Sequence, residues 1–242
     1  MKKRPPGDGG ADPRASWNWL YASGSVMALL YIIMVVVPLV LIFTTPQPPA
    51  TGGAAILGYI ASHKAIYMTE LICFVGLSVP ALGVFLAVSV SLRDAHRSLA
   101  ALGGLIGIAS EVVALSLGSS PQSLSGSLVY LSDQYGAAAT DVQRASLAGA
   151  AEGFLASANA VSSAGILTAL GILALSVCML RGTWSRAVAV LGIVTGLAGV
   201  VCEALRPRIG PVYGIYGLLL PAWFLCVGIR LYRMGFAPAS RR

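Results

Sequence analysis

Residues 24–43 read GSVMALLYIIMVVVPLVLIF, a run without a single charged side chain. About 20 apolar residues make one helix long enough to cross the ~30 Å hydrocarbon core of a bilayer. Inside lipid only a helix or a closed barrel satisfies its own backbone N–H and C=O groups. The run is therefore expected to be a membrane-spanning helix. Its leading segment is long and its apolar stretch exceeds a signal-peptide core, so it is read as a retained helix.

The composition agrees. Of 242 residues, 57% are hydrophobic and 10% charged, with 16 Lys or Arg against 9 Asp or Glu. Mean hydropathy is +0.81. A soluble domain carries roughly 25% charged residues, so this chain cannot cover a soluble surface. The net charge of +7 would raise the question of nucleic acid in a soluble protein. Here the basic residues sit in short clusters beside apolar runs, with no basic stripe interleaved with aromatics, and no nucleic-acid partner is expected.

Further apolar runs follow. Spans are expected at about 24–43, 66–92, 98–118, 161–180, 186–205 and 212–232. Pro80 should kink the second. Residues 44–54, with three prolines and two glycines, read as a loop. Thr140-Asp141-Val142-Gln143 fits a capping box and starts a helix at Asp141. A single helix from there to Leu180 would be about 60 Å long, twice the hydrocarbon thickness. A break is expected near Asn159–Ser163. The expected fold class is all-α: an integral membrane six-helix bundle over residues 23–234, with a disordered tail at 1–22, an outer loop and helix at 119–160, and a short tail at 235–242.

Six spans put both termini on one side. With that side inside, twelve of the sixteen cations fall in inner segments and four, Lys64, Arg144, Arg206 and Arg208, fall outside. The positive-inside rule then predicts a multi-pass cell-membrane protein with both ends cytoplasmic. Trp17, Trp19 and Trp184 fall at inner boundaries and Tyr213 near an outer one, as interfacial aromatics do.

Two segments repeat. Gly104-Leu105-Ile106-Gly107-Ile108-Ala109-Ser110-Glu111 aligns without gaps to Gly196-Leu197-Ala198-Gly199-Val200-Val201-Cys202-Glu203. The preceding helices match at Leu86–Val90 and Leu173–Val177, with a five-residue insertion joining the blocks. Helices two and three are thus expected to be a hairpin duplicated as helices four and five, a parallel repeat of the kind some transporters use. Gly and Leu coincide easily between membrane helices; matched glutamates do not, because an acid in a span is rare. The spacings Gly103-x-x-x-Gly107 and Gly192-x-x-x-Gly196 read as close helix packing.

The acids carry the candidate chemistry. Asp8, Asp12 and Asp94 lie in inner segments and Asp133 and Asp141 in the outer loop. The remaining four are Glu70, Glu111, Glu152 and Glu203, each in or beside a different span and toward the outer side. Glu111 is the deepest, roughly 10 Å below its boundary. A carboxylate in hydrocarbon costs about 2.5–3.5 kcal/mol and should face the bundle interior or a wet cavity. Arg206, three residues after Glu203, is within helical reach of it. Asn159 adds a hydrogen-bonding group. The expected ligand-binding set is Glu70, Glu111, Glu152, Asn159, Glu203 and Arg206, lining an outward-facing cavity for a small molecule or cation. A bland reading stands beside it: glutamates paired with Lys64, Arg144, Arg206 or backbone, orienting helices and binding nothing.

Cys73, Cys178, Cys202 and Cys226 lie inside apolar runs without CxxC spacing, and His63 and His96 are far apart. No disulfide framework, metal site or cofactor is expected. The Ser-rich stretch at 119–123 has no nearby base, so no nucleophilic residue is assigned. An intramembrane enzyme using a buried Glu as general acid on a lipid or polyprenyl substrate ranks behind ligand binding and behind a purely structural role.

The outer segment is the most distinctive wording in the chain. It runs Tyr130-Leu131-Ser132-Asp133-Gln134-Tyr135-Gly136, continues through Thr140-Asp141-Val142-Gln143-Arg144-Ala145 and closes at Ala151-Glu152-Gly153. Together with Glu70 it resembles the bacterial multi-pass membrane proteins grouped as domain-of-unknown-function family 4386, over about Ser23 to Met234. The resemblance implies a six- or seven-helix protein of the bacterial cell membrane. It implies no reaction and assigns no functional residue.

Overall fold

The computed structural model describes residues 17–118, 127–158 and 162–236. Among them every regular element is a helix and there is no strand. In chain order they are α1 (Asn18–Thr44), α2 (Gly53–Ser62), α3 (Lys64–Gly76), α4 (Ser78–Leu92), α5 (Arg97–Gly118), α6 (Ser127–Ala137), α7 (Asp141–Ala158), α8 (Ser163–Met179), α9 (Arg186–Ala204), α10 (Arg206–Ile209) and α11 (Tyr213–Phe236), with a 3₁₀ turn at Gly210–Val212 before the last.

Five segments are long and apolar enough to cross a membrane: Asn18–Thr44, Lys64–Leu92, Arg97–Ser116, Arg186–Ala204 and Tyr213–Phe236. The second joins α3 and α4. It is interrupted at Leu77, three residues before Pro80, whose missing N–H deprives the Gly76 carbonyl of its helical partner. The helix at the remaining expected span is α8, only 17 residues long.

The long helices and α8 form a closed ring. Neighbours in the chain are neighbours in space, α1 against α4, then α5, α8, α9 and α11, and α11 returns to α1. Interhelical packing in lipid gains little from the hydrophobic effect and depends on close fit. The fit is visible at α8. A Cβ on Gly171 of α8 would meet the backbone of Gly103 and Gly107 on α5, and one on Gly196 of α9 would meet the backbone of Ala169 and Leu173. Both small-residue spacings therefore seat their helices on α8. Inside the ring lies an aromatic cluster: Tyr31 stacks on Phe224 at 3.9 Å, and Phe85 meets Phe224 edge-on at 6.0 Å. Such pairs contribute about 0.5–1.5 kcal/mol each beyond the area they bury.

One end of the ring is basic. Arg93 stands over the Trp17 ring at 5.0 Å, and Arg230 donates to the Thr183 carbonyl at 3.0 Å. The other end carries a cap of α2, α6 and α7, with its own apolar cluster of Ile56, Leu57, Tyr59, Ile60 and Ala151. In α7 the Thr140 hydroxyl accepts from Gln143 N at 3.2 Å, and Gln143 Oε1 accepts from Ala139 N at 3.1 Å. The capping box thus closes one residue early. Helix α7 ends at Ala158, and Ser162 caps α8 by accepting from Gly165 N at 3.1 Å.

Three expectations need correction. Residues 18–22, read as tail, begin α1 because Leu20 and Tyr21 pack on the core. Residues 235 and 236, read as tail, complete α11, with Gly235 seated against Ala22. The end of the predicted loop, residues 53–54, belongs to α2, which buries Ile56, Leu57 and Ile60 on one face. Gly52 enters that helix at φ +90°, where a side chain would be strained.

Candidate functional site

Glu111 and Glu203 are brought to the same place by α8. Thr168 donates to Glu111 Oε1 at 3.2 Å, and Gly165, three residues earlier on α8, lies so close to the Glu203 carboxyl that a Cβ there would collide with it. Residues three apart on a helix lie about 5–6 Å from each other. Two acids from different helices therefore approach the first two turns of a third. Both are buried, with Glu111 5% and Glu203 3% exposed. Tyr216 on α11 lies within electrostatic reach of both carboxylates, and Tyr31 on α1 within reach of Glu111.

The two acids are satisfied differently. Glu203 Oε1 accepts from the Tyr213 hydroxyl at 2.6 Å. Its Oε2 accepts no hydrogen bond, and Arg206 Nη1 stands 3.6 Å from it. The chain passes from α9 into α10 through Leu205 at φ −99° and ψ 5°, outside the helical region, and Arg206 nevertheless stays beside Glu203. Glu111 has no ion pair among the described residues. Its partners are hydroxyls, Thr168 of α8 and Ser78 of α4, with Ser110 3.0 Å from the Thr168 oxygen.

The repeated segments make related contacts. The alignment that pairs Leu86 with Leu173 also pairs Ser78 with Gly165, and these are the residues set against Glu111 and Glu203. Toward the basic end the match slips by one turn. Gly104 lies against Ser89, but the counterpart of Ser89, Ser176, lies against Gly192 rather than Gly196.

The other expected site residues lie elsewhere. Glu152 belongs to the cap: its Oε2 accepts from Gly53 N at 2.6 Å and so caps the N-terminus of α2. A Cβ on Gly53 would collide with the Ala148 carbonyl, so only glycine lets the two helices approach. Glu70 is half-buried near Tyr59 and Tyr67 and makes no hydrogen bond or ion pair among the described residues. Asn159 lies outside the described residues. The expected partners of these acids are engaged elsewhere: Lys64 pairs with Asp133 at 2.7 Å and Arg144 with Asp141 at 3.6 Å. Sequence reading missed Tyr213, Tyr216, Thr168 and Gly165. Only their place in the first turns of apolar helices marked them.

An apolar groove of about 310 Å³ lies between α1 and α11, lined by residues such as Leu29, Leu225, Gly228 and Phe236. Glu111 does not line it. No group of three His, Cys, Asp or Glu side chains among the described residues is placed to hold a metal ion. Comparison with family models, curated proteins and solved structures finds no match to the chain. The resemblance to family 4386 thus rests on the quoted residues alone.

Proposed function

We propose that the chain is a six-span protein of the cell membrane, with both termini and the basic end cytoplasmic, that binds or transports a small molecule or ion at a site built on Glu111 and Glu203. The observation that carries the reading is the approach of both buried acids to the first two turns of α8, Gly165 against Glu203 and Thr168 against Glu111. Carboxylates at membrane depth are costly unless they serve a site or a pairing, and Glu111 has no cation beside it. The Ser78 and Gly165 contacts support reading the two hairpins, α3–α5 and α8–α9, as a duplication with the glutamates in corresponding places. Membership of family 4386 belongs to the same proposal.

Native mass spectrometry of the purified protein, followed by ligand binding to Glu111→Gln and Glu203→Gln, tests it. Both variants should weaken retention of the same co-purified molecule. If both retain it like the parent protein, the site is wrong. A structural role has one specific observation in its favour, the Tyr213 and Arg206 contacts that already engage Glu203. It predicts that Glu203→Gln loses stability while no molecule co-purifies.

A further inference from the structure

We infer that the ligand of the Glu111–Glu203 site is an organic monocation carrying an ammonium group. This rests on the site proposed above and concerns what fills it.

The charges do not balance. Two buried carboxylates face one cation, Arg206, whose side chain is 36% exposed and which sits at the rim. Glu203 Oε2 is buried without a hydrogen bond, and 3.6 Å to Arg206 exceeds hydrogen-bonding distance. An uncompensated buried carboxylate is strongly unfavourable, and with one cation for two acids the arrangement must take up either a proton or a second positive charge. The groups facing Glu111 from the helices around it do not supply one. They are the hydroxyls of Ser78 from α4, Thr168 from α8 and Ser110 from α5, with Tyr31 of α1 and Tyr216 of α11 within electrostatic reach.

The donors needed are N–H groups. An ammonium head has three N–H donors and no acceptor. The unpaired Glu203 oxygen and the Glu111 carboxylate are acceptors, and the hydroxyl oxygens of Ser78, Ser110 and Thr168 can accept as well as donate. A divalent metal fits less well, because its site takes several carboxylate ligands and no cluster of three acids or other metal ligands is present among the described residues.

The wall is aromatic. Tyr213 hydrogen-bonds Glu203 and meets Tyr216 edge-on at 6.0 Å, and Tyr216 lies within electrostatic reach of both acids. A cation already rests on this wall, since the Arg206 guanidinium lies 5.1 Å from the centre of the Tyr213 ring. Rings flanking carboxylates recognise organic cations by the attraction of the ring face for positive charge.

The test uses the full chain in detergent, with thermal unfolding followed by the fluorescence of its four tryptophans. The probes are benzylammonium chloride, its neutral analogue benzyl alcohol, sodium chloride and magnesium chloride. Benzylammonium should raise Tm by about 5–10 °C at roughly 100 times its Kd, and benzyl alcohol should not. Glu111→Gln and Glu203→Gln should each raise the benzylammonium Kd at least about tenfold, the loss of one charge-assisted contact. Glu152→Gln, in the cap, should leave the Kd unchanged. Should either glutamine variant fail to fold, Thr168→Val serves in its place and should raise the Kd several-fold. If no benzylammonium shift occurs, or benzyl alcohol matches it, the ammonium assignment is overturned. A sodium or magnesium shift lost in Glu111→Gln would then leave the site intact with a different occupant. A benzylammonium shift that survives undiminished in both glutamine variants overturns the site as well.

Discussion

At the scale of single residues, Gly165 governs the position of Glu203. The carboxyl occupies the space a side chain at 165 would need. Gly165→Ala must therefore push Glu203 away from Tyr213 or push α8 away from α9. Overpacking of this kind costs about 1–3 kcal/mol, so the expected result is a lower unfolding midpoint in detergent. Gly153→Ala supplies the contrast. Nothing lies within 4 Å of a Cβ there, and alanine in a helix is favoured over glycine by about 0.5–1 kcal/mol, so that variant should be as stable as the parent or more so. Equal loss in both would show that Gly165 is merely a helix position. Tyr213→Phe probes the same acid from the other side. It removes the donor 2.6 Å from Glu203 Oε1 and leaves a buried oxygen unpaired, at a cost of about 1–3 kcal/mol. A variant as stable as the parent would mean that the hydroxyl bond contributes nothing net.

At the scale of elements, the cap and the ring are held by different forces. The cap packs an apolar cluster and is pinned by long-range polar contacts, Glu152 to the start of α2 and Lys64 to Asp133. The Lys64–Asp133 pair is half exposed on both sides, 48% and 56%, and exposed pairs are worth about 0–1 kcal/mol. Lys64→Ala should barely change stability. Glu152→Ala should expose the first amides of α2 to faster hydrogen exchange, with the amides of α8 unaffected; unchanged exchange in α2 would remove Glu152 from its capping role. These pairings also mark what sequence could and could not convey. Runs such as 24–43 declare themselves because a span needs a fixed length of uncharged chain, and Thr140 to Gln143 declares a helix start because a cap is local. The first turn of α2 and the partner that caps it lie 99 positions apart, and no local spacing carries that contact. The short α2 lacks the length that makes a span conspicuous, and it follows directly on a Pro- and Gly-rich loop. Glu111 and Glu203 were legible because acids are scarce in spans; Gly165 and Thr168 were not, because glycine and threonine are ordinary there.

At the scale of the whole molecule, the ring reads as three hairpins of like sense. Running from the cap end to the basic end and back, they are α4 with α5, α8 with α9, and α11 with α1, the last closed through space rather than through the chain. The short α8 fits this arrangement. Its 17 residues make a helix of about 25 Å, less than the ~30 Å of hydrocarbon. It is flanked by α5 and α9, and its start lies next in the chain to the end of α7, so its ends need not reach the headgroups unaided. Whether it crosses decides the topology, since with six spans the α8–α9 turn lies on the basic side and with five it lies with the cap. Single cysteines placed in a cysteine-free chain at Asp94, Ala139 and Gly182 separate the two. A membrane-impermeant maleimide added to intact cells should label position 139 alone, with 94 and 182 labelled only after permeabilisation. Labelling of 182 together with 139 would mean that α8 re-enters without crossing, and α9 would then have to begin on the cap side, against the antiparallel contact that seats Gly196 on α8. Labelling of 94 and 182 without 139 would invert the orientation and place the basic end outside, contrary to the charge asymmetry between the two ends of the ring.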